Sequence, residues 1–312
     1  MAFIRAFGSY IPLLISTNAE VAARCRCEPD WIRTASGIEE RRVASEEETV
    51  AEMGARAALD CLKRAGVEAS RIGLILFSSG SAEQRFPGAG AEAALKLGIA
   101  GTPVIDLPMA SAGSLFGMVL ASQLVAAYGE VLVIASEKMT PVVWREPVDR
   151  NTAILFGDGA GAVLLSREYG AAEVMHSVLH SDGEFAADLR LPLDAPLQMN
   201  GQVVILQASR KIPVVIQETL QRNCLAAADV ECFIMHQANS NLIVRVARSL
   251  GVAHDKFYSN IARYGNTSSA SMLIAAKEWS NEGGFMPDKP VVFAGFGAGF
   301  HWGAVVVRGV LK

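Results

Sequence analysis

The sequence predicts an α/β fold of two similar halves, with a mostly parallel sheet crossed by helices. Three observations carry the prediction. Helical segments closed by glycine alternate with short β-branched or aliphatic runs, as when parallel strands are joined by crossover helices. Hydrophobic residues are 51% of the 312 residues and charged residues 19%, so the chain can bury a large core. The second half of the chain can also be laid over the first.

The N-terminal run MAFIRAFGSYIPLLIS is apolar but interrupted by Arg5, Gly8 and Pro12. It lacks the charged start and the cleavage site of a secretory signal. No run is long enough to span a bilayer, so the expectation is a cytoplasmic protein with no membrane partner. A net charge of −4 with scattered Lys and Arg argues against nucleic acid. The five cysteines form no disulfide framework. Cys25 and Cys27 make a lone C-x-C with no second pair and no nearby histidine, so no metal is expected. From Thr49 to Ala65, apolar residues at Val50, Met53, Ala57, Ala58, Cys61 and Leu62 keep a helical spacing, and Gly66 stops the helix. RIGLILFSS, from Arg71 to Ser79, reads as a buried strand.

The overlay begins at CLKRAGVEASRIGLILFSS, from Cys61, against TLQRNCLAAADVECFIMHQ, from Thr219. It runs without a gap at an offset of 158 residues. Ile75 meets Phe233, and Ser78 meets His236. The same offset carries Ser111 to Ser269, and one residue more lays EVLVIAS over KPVVFAG. Two such halves pack about a pseudo-twofold axis, which brings corresponding loops face to face. Sites in open α/β sheets form beyond the carboxyl ends of the strands. There the sequence places Ser111 after PVID, His236 after ECFIM, and Asn266 before the second-half counterpart of the Ser111 helix.

Each of these residues has two readings. Ser111, in DLPMASAGSLFGMVLASQL, is either a helix N-cap or a nucleophile that uses the exposed N–H groups and positive end of the helix. Its small neighbours Ala110, Ala112 and Gly113 leave room for a substrate against the backbone, which a cap does not need. His236 is either a satisfied core histidine or a neutral imidazole that accepts a proton or donates to an oxyanion. Asn266, in RYGNTSSAS, is either a turn residue or an amide donor to the same oxyanion. The glycines of FGAGFHWG, from Phe296 to Gly303, mark a turn between strands whose N–H groups can line a cavity, and FGDGAGA reads as a turn into a buried strand. Together they suggest an acyl-transfer site.

Over nearly its whole length the chain resembles the 3-oxoacyl-acyl-carrier-protein synthase III (ketoacyl synthase III) family of condensing enzymes. The resemblance rests on DWIRTASGIEERR, RFPG, DRNTAILFGDGAGAVLL, HSDG, MHQAN, YGNTSSAS and GFGAGFHWGA, in that order. It implies a thiolase-like, duplicated αβαβα five-layer fold, with an N-terminal half over residues 1–168 and a C-terminal half over 169–312. It implies a Cys-His-Asn catalytic set in which His236 and Asn266 stabilise an enolate and Ser111 stands where the nucleophilic cysteine belongs. The N–H groups of Ser111 and of the turn near Ala298 would form a first oxyanion hole. Trp31 and Arg150 match residues that hold coenzyme A. Phe86 matches a residue lent to the partner's acyl pocket, so a homodimer is implied. Acyl-CoA or acyl-acyl-carrier protein and a malonyl thioester would be the substrates, with no other cofactor.

Two positions depart from the pattern. Ala35 replaces an expected arginine, with Arg33 nearby, and Asn241 replaces a basic residue, which weakens the case for coenzyme A. Arg245 and Arg248 would serve an acidic carrier protein or form a solvated helix face. A serine cannot ionise as a thiol does, so it needs a base, and His236 is the candidate. Three readings stay open: a natural serine enzyme that selects or transfers a starter acyl group, a condensing enzyme whose cysteine was replaced to trap a complex, and a silent ketosynthase-like subunit or scaffold.

Overall fold

The computed structural model describes residues 1–193 and 195–311. Ten strands form one hydrogen-bonded mixed sheet made of two five-stranded sheets that join at a single seam. In the first half these are β1 (Phe3–Tyr10), β2 (Leu74–Ser78), β3 (Val104–Leu107), β4 (Glu130–Glu137) and β5 (Gly159–Ser166). The second half supplies β6 (Ala172–Ser181), β7 (Cys232–Met235), β8 (Phe257–Tyr258), β9 (Pro290–Gly297) and β10 (His301–Gly309). Their order across the sheet is β3-β2-β4-β5-β1-β6-β10-β9-β7-β8. The second five strands therefore repeat the order of the first five, reflected about the β1–β6 seam. Only two residue pairs close that seam, Phe3 with Glu173 and Ile4 with Ala172. In each half the three strands farthest from the seam are parallel and the next two antiparallel.

Seven helices matter for the site: α1 (Pro29–Ser36), α2 (Val50–Ala65), α3 (Ala89–Lys96), α4 (Gly113–Tyr128), α5 (Gly201–Arg222), α6 (Ser240–Leu250) and α7 (Ser271–Asn281). Strand alternation sets the layers. Leu74, Leu76, Val131 and Val133 face inward onto α4 and α7, together with Val291 and Phe293 from the other half. Their neighbours Ile75, Phe77, Leu132 and Ile134 face outward onto α2 and α3, and Val292 and Ala294 face α5 and α6. The layers thus run helix, sheet, helix, sheet, helix. Because both faces of each sheet are covered, the central strands read as unbroken apolar runs. α4 lies in the middle layer and is apolar nearly all round, as a helix packed between two sheets must be.

Local chemistry sets the ends of the elements. Thr49 caps α2 by accepting the Glu52 N–H, and Gly66 closes it in the left-handed conformation at φ 64°, which glycine adopts at no steric cost. Among the described residues, no helix is long and apolar enough to cross a membrane.

Candidate active site

Ser111 is not a helix cap. α4 begins at Gly113 with Ala112 at the cap position and no side-chain capping bond. Ser111 lies one residue earlier at φ 63°, a left-handed backbone that a non-glycine residue rarely adopts. Two close approaches shape this turn. A Cβ on Gly113 would lie 1.8 Å from Ser78 Oγ, and one on Gly297 would lie 2.2 Å from the Ala110 carbonyl oxygen and 2.7 Å from the Ala112 nitrogen. Only glycine lets β9 press against the turn that carries Ser111. Strained backbone of this kind gathers at functional sites. The Ser111 N–H donates to Ser268 Oγ at 3.0 Å, so this donor of the expected oxyanion hole is already engaged. Among the described residues the Ser111 hydroxyl makes no hydrogen bond.

The histidine follows β7, and its backbone N–H is tied to the Ala294 carbonyl at 2.9 Å. His236 is 2% exposed. Its ring meets Phe296 edge-on at 5.4 Å, and Nδ1 lies 2.7 Å from Ser271 Oγ. Ser271 Oγ also accepts the Gln237 N–H at 3.1 Å. Among the described residues Nδ1 is the only acceptor for the Ser271 hydroxyl proton, so Nδ1 accepts and the ring proton sits on Nε2. Burial pushes the imidazole pKa down to about 3. A neutral ring with its proton on Nε2 can donate a hydrogen bond into the cavity.

Asn266 is held from both sides by the FGDG turn. Its N–H donates to the Leu155 carbonyl at 2.9 Å, and its carbonyl accepts the Gly157 N–H at 3.1 Å. Side-chain Oδ1 accepts the Ser268 N–H at 2.8 Å. The amide is therefore oriented, and Nδ2 is its remaining donor.

Ser111, His236 and Asn266 line one cavity of about 480 Å3 at the junction of the halves, together with Trp31, Phe156 and Phe296. Among the described residues no Lys, Arg, Asp or Glu lines it. The junction of α1 with the start of α6 forms part of its wall. There Asn239 Nδ2 donates to the Ala35 carbonyl at 2.9 Å, and Asn241 Nδ2 to the Thr34 and Ala35 carbonyls at 3.1 and 3.2 Å. Asn241, where a basic residue was expected, thus closes the end of α1. Arg150 stacks on Trp31, its guanidinium carbon 5.5 Å from the ring centroid.

Ala298 and Phe86 do not line this cavity. Ala298 faces a second cavity of about 920 Å3, behind Ser111 and lined also by Gly80, Met109, Ala110, Pro141 and His301. Phe86 is 86% exposed on the loop before α3 and lines neither cavity. The sequence reading missed Ser268, Ser271 and Glu137, a buried carboxylate at the end of β4. Its one signal was an acidic residue ending an otherwise apolar strand.

The repeated strand order, five layers and enclosed junction are those of the thiolase-like α/β enzymes, which transfer acyl groups. The family models for 3-oxoacyl-[acyl-carrier-protein] synthase III match residues 105–183, and those for its C-terminal region residues 220–309. A beta-ketoacyl-[acyl-carrier-protein] synthase III from Pectobacterium atrosepticum is 38% identical over 311 residues, covering 96% of this chain and 97% of the relative. The crystal structure of the 3-oxoacyl-[acyl-carrier-protein] synthase III from Aquifex aeolicus superposes with a TM-score of 0.94 at 30% identity, over 99% of this chain and 100% of that one. The priming beta-ketosynthase of the R1128 polyketide pathway gives 0.91 at 29%, over 100% and 97%. The chain belongs to the beta-ketoacyl-[acyl-carrier-protein] synthase III family and is an acyltransferase of the condensing type.

Proposed function

We propose that this chain primes fatty-acid or polyketide synthesis through an acyl-serine. Ser111 Oγ, in place of the family's cysteine, attacks the carbonyl of an acyl thioester, and the thiol leaves with the hydroxyl proton. A malonyl thioester then enters the cavity. Loss of carbon dioxide leaves an enolate, whose carbon attacks the acyl-serine ester. The new carbon–carbon bond yields a 3-oxoacyl thioester and expels the Ser111 alkoxide, which takes up one proton from solvent to restore the hydroxyl. His236 Nε2–H and Asn266 Nδ2–H donate to the enolate oxygen, where preorganised donors act in a low-dielectric site. The Ser111 N–H serves the first oxyanion together with the turn near Ala298, and must share with or leave Ser268 to do so.

The observation that carries this reading is the shared cavity of hydroxyl, neutral imidazole and oriented amide, with no charged side chain in its wall among the described residues. Such a wall suits a neutral, amide-bearing thioester arm passing Trp31, with Arg150 at the entrance for an anionic donor, either coenzyme A or an acyl carrier protein. No resident cofactor or metal enters this reading, and the chain acts in the cytoplasm. A homodimer is part of it: β3 is an open sheet edge with Ile105 47% exposed, and Phe86 stands free beside it, features a second copy would cover.

A second reading is favoured by one observation: among the described residues the Ser111 hydroxyl has no hydrogen-bond acceptor, and His236 Nδ1 is paired with Ser271 instead. On that reading the chain is a silent subunit. Intact-mass measurement after incubation with short, long, branched and aromatic acyl thioesters separates the two. A stable adduct that Ser111→Ala abolishes supports acyl transfer. No adduct with any donor supports the silent subunit.

A further inference from the structure

Glu137 closes β4 and is completely buried, yet among the described residues no cation forms a salt bridge with it. Six neutral donors surround it instead. Oε2 accepts the Ser79 hydroxyl at 3.2 Å, the Gly80 N–H at 3.0 Å and the Ser81 hydroxyl at 2.5 Å, all from the loop after β2. Oε1 accepts the Ser268 hydroxyl at 2.9 Å, the Ser269 N–H at 3.2 Å and the Ser269 hydroxyl at 2.6 Å, all from the other half of the chain. A buried carboxylate is costly unless fully hydrogen-bonded, and a fully satisfied network fixes a single geometry.

The bonds continue into the site. Because the Ser268 hydroxyl spends its proton on Glu137, its lone pairs face the Ser111 N–H, which it accepts at 3.0 Å. The Ser268 N–H in turn holds Asn266 Oδ1 at 2.8 Å. Ser111 and Ser268 are both left-handed, at φ 63° and 47°, so two strained turns from opposite halves meet at one hydrogen bond. We propose that Glu137 is a positioning residue which, through Ser268, locks the Ser111 backbone to the Asn266 turn across the junction of the halves. The link to acylation rests on Ser111 being the acyl acceptor; the lock itself does not.

Glu137→Gln tests the lock at nearly constant volume. Each carboxylate oxygen receives one backbone N–H that cannot turn away, and an amide offers only one oxygen. Either Gly80 or Ser269 then faces a donor, and the network must loosen. Hydrogen exchange read by mass spectrometry over residues 107–114 needs no substrate. Glu137→Gln should speed exchange at the Ser111 amide about tenfold or more. Ser268→Ala should do the same, the double variant should add nothing further, and α5 should be unchanged. On an acyl thioester that labels wild type, Glu137→Gln should lower the acylation kcat about tenfold at unchanged KM, with partial recovery in Glu137→Asp.

Wild-type exchange at 107–114 in Glu137→Gln, additive effects of the two substitutions, or faster exchange throughout the chain would each overturn the proposal. If Glu137→Gln does not fold, Ser268→Ala alone decides: faster local exchange supports the lock, and unchanged exchange overturns it. Expected exchange in a protein that no thioester acylates would leave the lock standing and reject the acyl-serine reading instead.

Discussion

His236→Gln tests whether the imidazole of the cavity is a neutral donor or a base. Burial holds its pKa near 3 in the fold, against an ordinary 6.5 in the unfolded chain. The folded value is depressed, so the neutral ring contributes stability that is complete above pH 6.5 and is lost as the pH falls from 6.5 toward 3. Each unit of difference is about 1.4 kcal/mol, so going from pH 8 to pH 5 should cost about 2 kcal/mol through this residue. Asp158, whose carboxyl burial pushes up, titrates alike in both proteins and cancels from the comparison. Urea unfolding at the two pH values measures the effect. Wild type should lose about 2 kcal/mol more than His236→Gln between pH 8 and pH 5. Equal losses would mean that His236 titrates normally in the fold, and the argument for an Nε2–H donor that never acts as a base would fail.

Other outcomes follow from the same geometry. Ser111→Cys supplies a nucleophile that can ionise without a base, so condensation with a malonyl thioester should rise by about tenfold or more; no rise in released carbon dioxide would contradict the condensing role. Asn266→Ala removes one of the two donors proposed for the enolate and should slow decarboxylation about 10²-fold or more while acylation of Ser111, read by intact mass, stays within a few fold. Gly297→Ala drives a methyl group into the Ala110 carbonyl and should cost about 1–3 kcal/mol, seen as a lower Tm with loss of acylation. Phe86→Asp should shift the chain from dimer toward monomer in sedimentation; a wild-type monomer would remove the homodimer from the proposed function.

The alternation of apolar runs and glycine-closed helices made the α/β class legible, and the overlay of Cys61 onto Thr219 foretold a second set of strands in the order of the first. It also foretold that corresponding loops would meet, and Ser111 does touch Ser268, the neighbour of the Ser269 that the offset selects. Ser111, His236 and Asn266 were legible because each breaks a pattern at the end of a strand or the start of a helix. Phe86 and Ala298, read from the motifs RFPG and GFGAGFHWGA, do not line the cavity that the other three share. Glu137 escaped because an acidic residue after seven strand residues reads as the return to solvent; the six donors that hold it come from segments as far as 132 residues away.

By itself the sequence determined the periodicities, and with them the layers, the duplication and the strand ends where chemistry gathers, because side-chain burial in helices and strands is set by local spacing. Tertiary structure alone decided the state of each group at the site. Whether Ser111 caps a helix depends on where α4 starts, which the pressure of β9 at Gly297 fixes. Whether His236 carries a proton depends on how much water its cavity excludes and on the hydroxyl of Ser271, 35 residues away. Desolvation and hydrogen bonding act through space, and no spacing along the chain encodes them.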